Sequence, residues 1–163
     1  MRIGFAAYQA PFGKIRVIAD ETGIKRVELF EEDWEKFLAG HPEIQEDMEL
    51  CGEAIRQLDE YFSGKRKEFD LPLSAEGTDF RKKVWSALQT IPYGEVRSYA
   101  DVAEMIGNPK AVRAVGQANR NNQIPIIIPC HRVIGKSGNL VGYAGSHTPI
   151  QKMLLDAEVD AAK

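Results

Sequence analysis

Cys130 and His131 stand side by side in the stretch Ile126-Ile127-Ile128-Pro129-Cys130-His131-Arg132-Val133. A thiol attacks as its thiolate, and a neighbouring imidazole is one of the few local ways to reach that state near neutral pH. The isoleucine run has strand character. Pro129 fixes its own φ and biases Ile128 to extended geometry, so the cysteine is expected at a stiff, predetermined spot. The bland alternative is a buried structural cysteine beside an incidental histidine. The other cysteine, Cys51, falls in a helical pattern and reads as a small helical residue without chemistry. Two cysteines in such different contexts argue against a disulfide framework and agree with a reducing compartment. His41, His131 and His147 offer none of the short spacings of a Cys/His metal site, so neither metal nor cofactor is expected.

The elements that must position this pair divide into two sets. Strands are expected at Ile3 to Tyr8, Lys14 to Ala19 and Ile24 to Phe30, separated by the turn chemistry of Pro11-Phe12-Gly13 and Asp20-Glu21-Thr22-Gly23. From Glu46 to Phe62, the apolar positions Leu50, Ala54, Leu58, Tyr61 and Phe62 recur at helical spacing, which predicts a helix packed on the resulting antiparallel sheet. Leu71 to Gly77 reads as a connector, and the domain boundary is placed there, giving domains 1–76 and 77–163. Thr78 is suited to cap a helix with a buried stripe of Phe80, Val84, Trp85, Leu88 and Ile91. Ser98 and Asp101 form a capping-box pair for a short helix that Gly107 ends. Asn108-Pro109 then open a further helix, Lys110 to about Asn119. Two short helices joined by a tight glycine-containing turn are the ingredients of a helix-turn-helix.

In that second helix, Val112 and Val115 suit a core, while Lys110, Arg113, Ala114, Gln117 and Ala118 line another side. Small residues let a backbone approach a surface closely, as a recognition helix in a DNA groove must; a closely packed helix pair has the same need. Charge favours the first reading. Residues 1–78 carry 10 Lys+Arg against 17 Asp+Glu, whereas residues 79–136 carry 9 against 4, a basic segment in a protein of net charge −3. Gly135 to Gly145 holds four glycines and reads as a loop or hairpin, fit for a pocket wall or simply a tight turn. Thr148, Pro149 and Gln151 mark a last helix start, with Ile150, Met153 and Leu154 as its buried stripe. The longest apolar run is far below the ~18 residues of a membrane span, and Met1 to Phe5 lacks a signal peptide's apolar core. A cytoplasmic protein is expected.

Ile128-Pro129-Cys130-His131-Arg132-Val133, Arg113-Ala114-Val115-Gly116, Asn122 and Val141-Gly142-Tyr143-Ala144-Gly145 together resemble the O6-alkylguanine-DNA alkyltransferase family. The match runs from Thr78 to Glu158, and its Pro-Cys-His-Arg-Val block is highly specific; the N-terminal part is similar in layout only. The resemblance implies an α+β fold: a small ribonuclease-H-like antiparallel sheet with a helix, then a mainly helical winged-helix or helix-turn-helix domain carrying the active site. It also implies a single-turnover transfer of an alkyl group from O6 of guanine, and O4 of thymine, to the protein's own cysteine. The nucleotide is first flipped out of the duplex, because its reacting atom lies inside the stack.

By resemblance, Cys130 is the acceptor, His131 the base acting through a water, and Glu158 the residue that orients His131. The water fits a simple expectation, since neighbours in extended chain point to opposite sides. Tyr99 resembles the residue that donates to the leaving guanine, and Arg113 the finger that fills the vacated stack. Asn122, with Asn121 beside it as a competing match, resembles the brace of the turn before the nucleophile. Ser98, Lys110, Arg113, Ala114, Gln117 and Arg120 are the expected DNA-binding set, and Val133, Tyr143, Ala144 and Gly145 the pocket. The expected partner is double-stranded DNA, entered from the minor groove by a monomer, with no membrane. Ser146 stands where the family pattern has glycine, and the following loop is one residue longer, which bears on pocket width. Three rivals differ in chemistry: a damage-binding protein would lack the cysteine, a redox-sensing regulator would not need Tyr99 or the glycine-rich wall, and a Cys-His-Glu hydrolase would need an oxyanion hole.

Overall fold

The computed structural model describes residues 2–135 and 148–162. The chain forms two compact units, Met1–Glu76 and Gly77–Lys163.

In the first unit, β1 (Ile3–Ala10), β2 (Gly13–Asp20) and β3 (Gly23–Glu28) make an antiparallel meander. A two-residue β4 (Gln45–Glu46) joins β1 in parallel, giving the order β3-β2-β1-β4. The third strand therefore ends earlier than its apolar run suggests. Leu29 and Phe30 instead lead into α1 (Glu31–Gly40), a helix that the sequence reading did not anticipate. Its only buried residue is Trp34, which packs on Phe5 with ring centroids 4.8 Å apart. Helix α2 (Met48–Phe62) starts behind Asp47, whose carboxylate accepts from Glu49 N and Leu50 N. It buries Cys51, Ala54, Leu58 and Tyr61 on the sheet side. The connector runs along the open edge of β3: Ile24 N donates to Pro72 O at 2.8 Å, and Ser74 N to Ile24 O at 2.7 Å. Gly23 makes this approach possible, because a Cβ there would lie 2.4 Å from Pro72 O.

In the second unit, α3 (Asp79–Leu88) is capped by Thr78 and buries Val84, Trp85 and Leu88. The strand β5 (Arg97–Ser98) delivers α4 (Tyr99–Met105), where Ser98 and Asp101 form the reciprocal capping box. Gly107 takes φ +77 just beyond α4, as a left-handed terminator should. The next helix does not start at Asn108-Pro109. Those residues form a turn closed by Ala111 N donating to Asn108 O, and α5 (Val112–Arg120) begins one turn later. Trp85 Nε1 donates to Ala118 O at 2.8 Å and ties α3 to α5. Ala118 is thus buried rather than on the outer face, and Val112 is exposed rather than core. A two-residue β6 (Val133–Ile134) pairs in parallel with β5, and α6 (Thr148–Ala162) follows. The buried face of α6 is Gln151, Leu154 and Glu158; Met153, expected inside, is exposed. None of the described helices is long and apolar enough to cross a membrane.

Candidate active site

The segment that delivers Cys130 is not a strand. Ile128 N reaches back to Ile124 O at 2.9 Å, and Ile126 sits at φ 74, a costly conformation for a β-branched side chain. Ile124, Ile126 and Ile128 are all buried to 1% or less, so side chains pointing in several directions share one core. Pro129, at φ −79 and ψ 62, centres a tight reverse turn in which Cys130 N donates to Ile128 O at 2.7 Å. Cys130–Arg132 then wind a single 3-10 turn. Neighbouring residues there are offset by about a third of a turn, so the opposite-sides expectation for Cys130 and His131 does not apply.

Side-chain amides hold this irregular backbone. Asn122 Nδ2 donates to Ile128 O at 2.9 Å while its Oδ1 accepts from Ile124 N at 3.0 Å. Asn121 is exposed and donates to Gln117 O within its own helix end. Buried Asn119 donates to Cys130 O at 3.4 Å, and Gln151 from α6 donates to His131 O and Val133 O. Neither Asn119 nor Gln151 was anticipated as a site residue: Asn119 was read as the end of its helix and Gln151 as part of the start signal of the last one.

His131, Arg132 and Glu158 form a buried charged cluster. His131 Nε2 lies 2.7 Å from Glu158 Oε2; Arg132 donates to both carboxylate oxygens, Nε to Oε1 at 2.9 Å and Nη2 to Oε2 at 3.0 Å. Arg132 Nη1 donates to Ile91 O at 2.8 Å. Burial disfavours the Glu158 charge, but the contacts with His131 and Arg132 outweigh it and hold the carboxyl well below its ordinary range. Burial also lowers His131, and outweighs the pull of Glu158 toward the imidazolium. That direction favours the neutral imidazole, and an ionised carboxylate beside Nε2 favours the hydrogen there, which leaves Nδ1 the lone pair.

Cys130 is 2% exposed. Burial pushes its thiol up to about 12, against the smaller opposing effect of the Asn122 amide. Burial raises Tyr99 as well, with Arg120 opposing, the Cys130 charge reinforcing and a hydrogen bond from Asn119 opposing. The structure thus gathers Cys130, His131, Glu158, Asn122 and Tyr99 around one turn, with Arg120 close by. Ser98 spends its hydroxyl on Asp101 N as the cap of α4. Lys110, Arg113, Ala114, Gln117 and Arg120 are exposed on α5 and the turn before it. Val133 has a fully buried side chain, and its carbonyl is taken by Gln151. Tyr143, Ala144, Gly145 and the rest of the glycine-rich stretch lie outside the described residues. Among the described residues, no group of three or more His, Cys, Asp or Glu side chains is placed to hold a metal.

Both thiols are buried and raised, Cys51 to about 11. The native protein at pH 7 is expected to resist iodoacetamide over a time in which the urea-unfolded chain takes up label at both cysteines. Rapid native labelling at Cys130 would mean that its thiolate exists before any substrate arrives.

The chain is a two-unit α+β protein: a small sheet with two helices, then a mainly helical unit that carries buried Cys130, His131 and Glu158. Residues 3–75 match the ribonuclease-like domain, and residues 79–159 the DNA-binding domain, of 6-O-methylguanine DNA methyltransferase. The chain belongs to this family. It is 52% identical to the constitutive methylated-DNA–protein-cysteine methyltransferase of Bacillus subtilis over 94% of each chain. It is 48% identical to the methylated-DNA–protein-cysteine methyltransferase of Methanosarcina acetivorans, over 94% of this chain and 97% of that one. Among solved structures, the O6-methylguanine methyltransferase of Mycobacterium tuberculosis matches with TM-score 0.88 and 40% identity, over 99% of this chain and 96% of that one. A structure of the OGT protein from that organism in complex with DNA matches with TM-score 0.86 and 39% identity, over 97% and 94%.

Proposed function

We propose that this chain repairs alkylated DNA by moving the alkyl group from O6 of guanine, or O4 of thymine, onto Cys130, and that each molecule acts once. The observation that carries this reading is the buried thiol one residue from an imidazole whose Nε2–H is held by a buried carboxylate. In the step, the sulfur–carbon bond forms as the carbon–oxygen bond breaks. The thiol proton passes through a bridging water to His131 Nδ1, and the departing base receives a proton through Tyr99. Both protein groups are reset afterwards, so the thiol proton has in effect moved to the base. Glu158 orients His131, and Asn122 braces the nucleophile's turn. The 77–163 unit carries the DNA-binding and transfer functions; Val133, Tyr143, Ala144 and Gly145 line the pocket for the flipped base.

The protein is proposed to act as a monomer on the minor groove of duplex DNA, with Ser98, Lys110, Ala114, Gln117 and Arg120 around Arg113. The exposure of Lys110, Arg113, Ala114, Gln117 and Arg120 supports contact with DNA through this side of α5 and the turn before it. The two unpaired cysteines support a reducing, cytoplasmic setting.

Incubation with a short duplex containing O6-methylguanine tests the reading by mass spectrometry. The peptide holding Cys130 should gain one CH2, with one alkyl group per protein and no further turnover. Repeated turnover, or modification at Cys51, would sink it. Arg113→Ala separates base extrusion from chemistry: it is expected to slow repair in a duplex by about tenfold or more while leaving reaction with free O6-benzylguanine within about twofold, since a free base needs no flipping. Equal losses on the two substrates would remove the finger role.

A further inference from the structure

We propose that Gln151 is a positioning residue for the transfer reaction, acting on His131 through the backbone of the turn that carries the nucleophile. The inference rests on the reading of Cys130 as acceptor and His131 as base. Gln151 is fully buried on α6. Its Nε2 donates to His131 O at 3.2 Å and to Val133 O at 3.0 Å, which uses both of its hydrogens. Its Oε1 makes no hydrogen bond among the described residues. Turning the amide over would set that oxygen against two carbonyl oxygens, so the contacts decide its orientation.

Seven residues further along α6, two turns on and on the same face, Glu158 meets His131 Nε2 at 2.7 Å. One helix therefore grips this histidine at its backbone carbonyl and at its ring. That double hold fixes the direction of Nδ1, the atom that must receive a proton. The turn cannot do this alone, being three residues of 3-10 helix followed by a two-residue strand. Asn119 and Asn122 hold the carbonyls of Cys130 and Ile128, and Gln151 holds that of His131. A buried amide is costly unless bonded, so its presence points to the carbonyls that it serves.

The test is a double-mutant cycle with full-length protein and an O6-methylguanine duplex, read as the single-turnover rate of methylation at Cys130. Gln151→Met keeps length and burial but removes both donors. With His131 present it is expected to slow transfer on the order of 10- to 100-fold. On top of His131→Gln it is expected to cost less than about threefold, because the residue through which it acts is gone. Equal fold losses in both backgrounds would overturn the proposal and leave Gln151 a residue of the fold alone. Should Gln151→Met fail to fold by near-UV circular dichroism, Gln151→Asn carries the same cycle, since its amide is one methylene too short to reach both carbonyls. Failure of the unsubstituted chain to methylate Cys130 would be a different result: it would remove the acceptor reading itself, and this inference with it.

Discussion

Cys130→Ala is expected to abolish alkyl transfer and to leave affinity for duplex DNA within about threefold. The sulfur is the only group proposed to bond to the migrating carbon, so nothing replaces it. It is also 2% exposed, whereas phosphate contacts need accessible donors such as those on α5. The thiol is neutral at rest, so its removal strands no charge, and a cavity of one atom costs about 1 kcal/mol. Cys51→Ala is the control. That thiol lies 3.6 Å from both Gly4 O and Val17 O inside the other unit, and its loss should leave transfer intact. Mass spectrometry reads the alkyl group, and fluorescence anisotropy reads binding. Residual transfer in Cys130→Ala would assign the chemistry elsewhere; loss of binding would mean that this residue shapes the DNA surface.

Burial raises the Cys130 thiol above the ordinary cysteine range, which leaves a deficit of thiolate at neutral pH. The proposed reaction therefore forms the thiolate with the substrate in place rather than beforehand. The deficit can be recovered at the moment of reaction, because aligning carbon and sulfur in a dry pocket is worth effective molarities on the order of 10^5 M and above. The same burial makes the anion more nucleophilic once it forms, since nucleophilicity rises with thiol basicity. For a protein spent by one reaction this arrangement has a clear use: the thiol stays inert to passing electrophiles and is activated only with a base in place. On the proposed mechanism, desolvation supplies the silence and His131 the release.

What could be read in advance follows from how local each signal is. The Ser98–Asp101 capping box, Gly107 and the amphipathic α2 depend on near neighbours, and the structure shows each where the sequence places it. Helix α1 was missed because its apolar signal is short, Trp34, Phe37 and Leu38 at i, i+3 and i+4 among charged residues, with Trp34 alone buried. The isoleucine run misled for the opposite reason: where every residue is buried, periodicity cannot separate a strand from a chain of turns, and Asn122 decided the matter from outside the run. Cys130, the proposed nucleophile, and His131 were legible as neighbours in a rare motif. The amides that hold them were not, because Gln151 and Asn119 are polar residues on buried faces, and a pattern built from hydrophobicity counts them as surface. Glu158 has the same disguise; only resemblance singled it out.

Glu158→Gln should be the most damaging change that keeps the shape of the site. Arg132 would lose its counter-charge inside the core, for which a cost of about 3 to 5 kcal/mol is usual. The effect on chemistry comes from a hydrogen. An amide in this place directs its oxygen to the Arg132 guanidinium and its NH2 toward His131 Nε2, which must then accept. The imidazole hydrogen moves to Nδ1, and the atom that should take the thiol proton becomes a donor. A wrong tautomer of this kind behind a buried carboxylate is worth on the order of 10^4 in rate. The dependence on pH has a definite sign. The unsubstituted protein keeps His131 neutral below the 6.5 of an ordinary imidazole, so the unfolded chain takes up a proton that the folded one refuses, and stability falls as pH drops below 6.5. Glu158, depressed in the fold, stabilises it above about 4.5, and that contribution is lost at lower pH. Urea midpoints measured from pH 7 to pH 4 should therefore decline in the unsubstituted protein with a slope that steepens toward pH 4. In Glu158→Gln they should start lower and lack the steepening, while nitrogen-15 shifts of the imidazole report the exchanged tautomer. Unchanged transfer in a variant whose shifts show that exchange would remove His131 as the base.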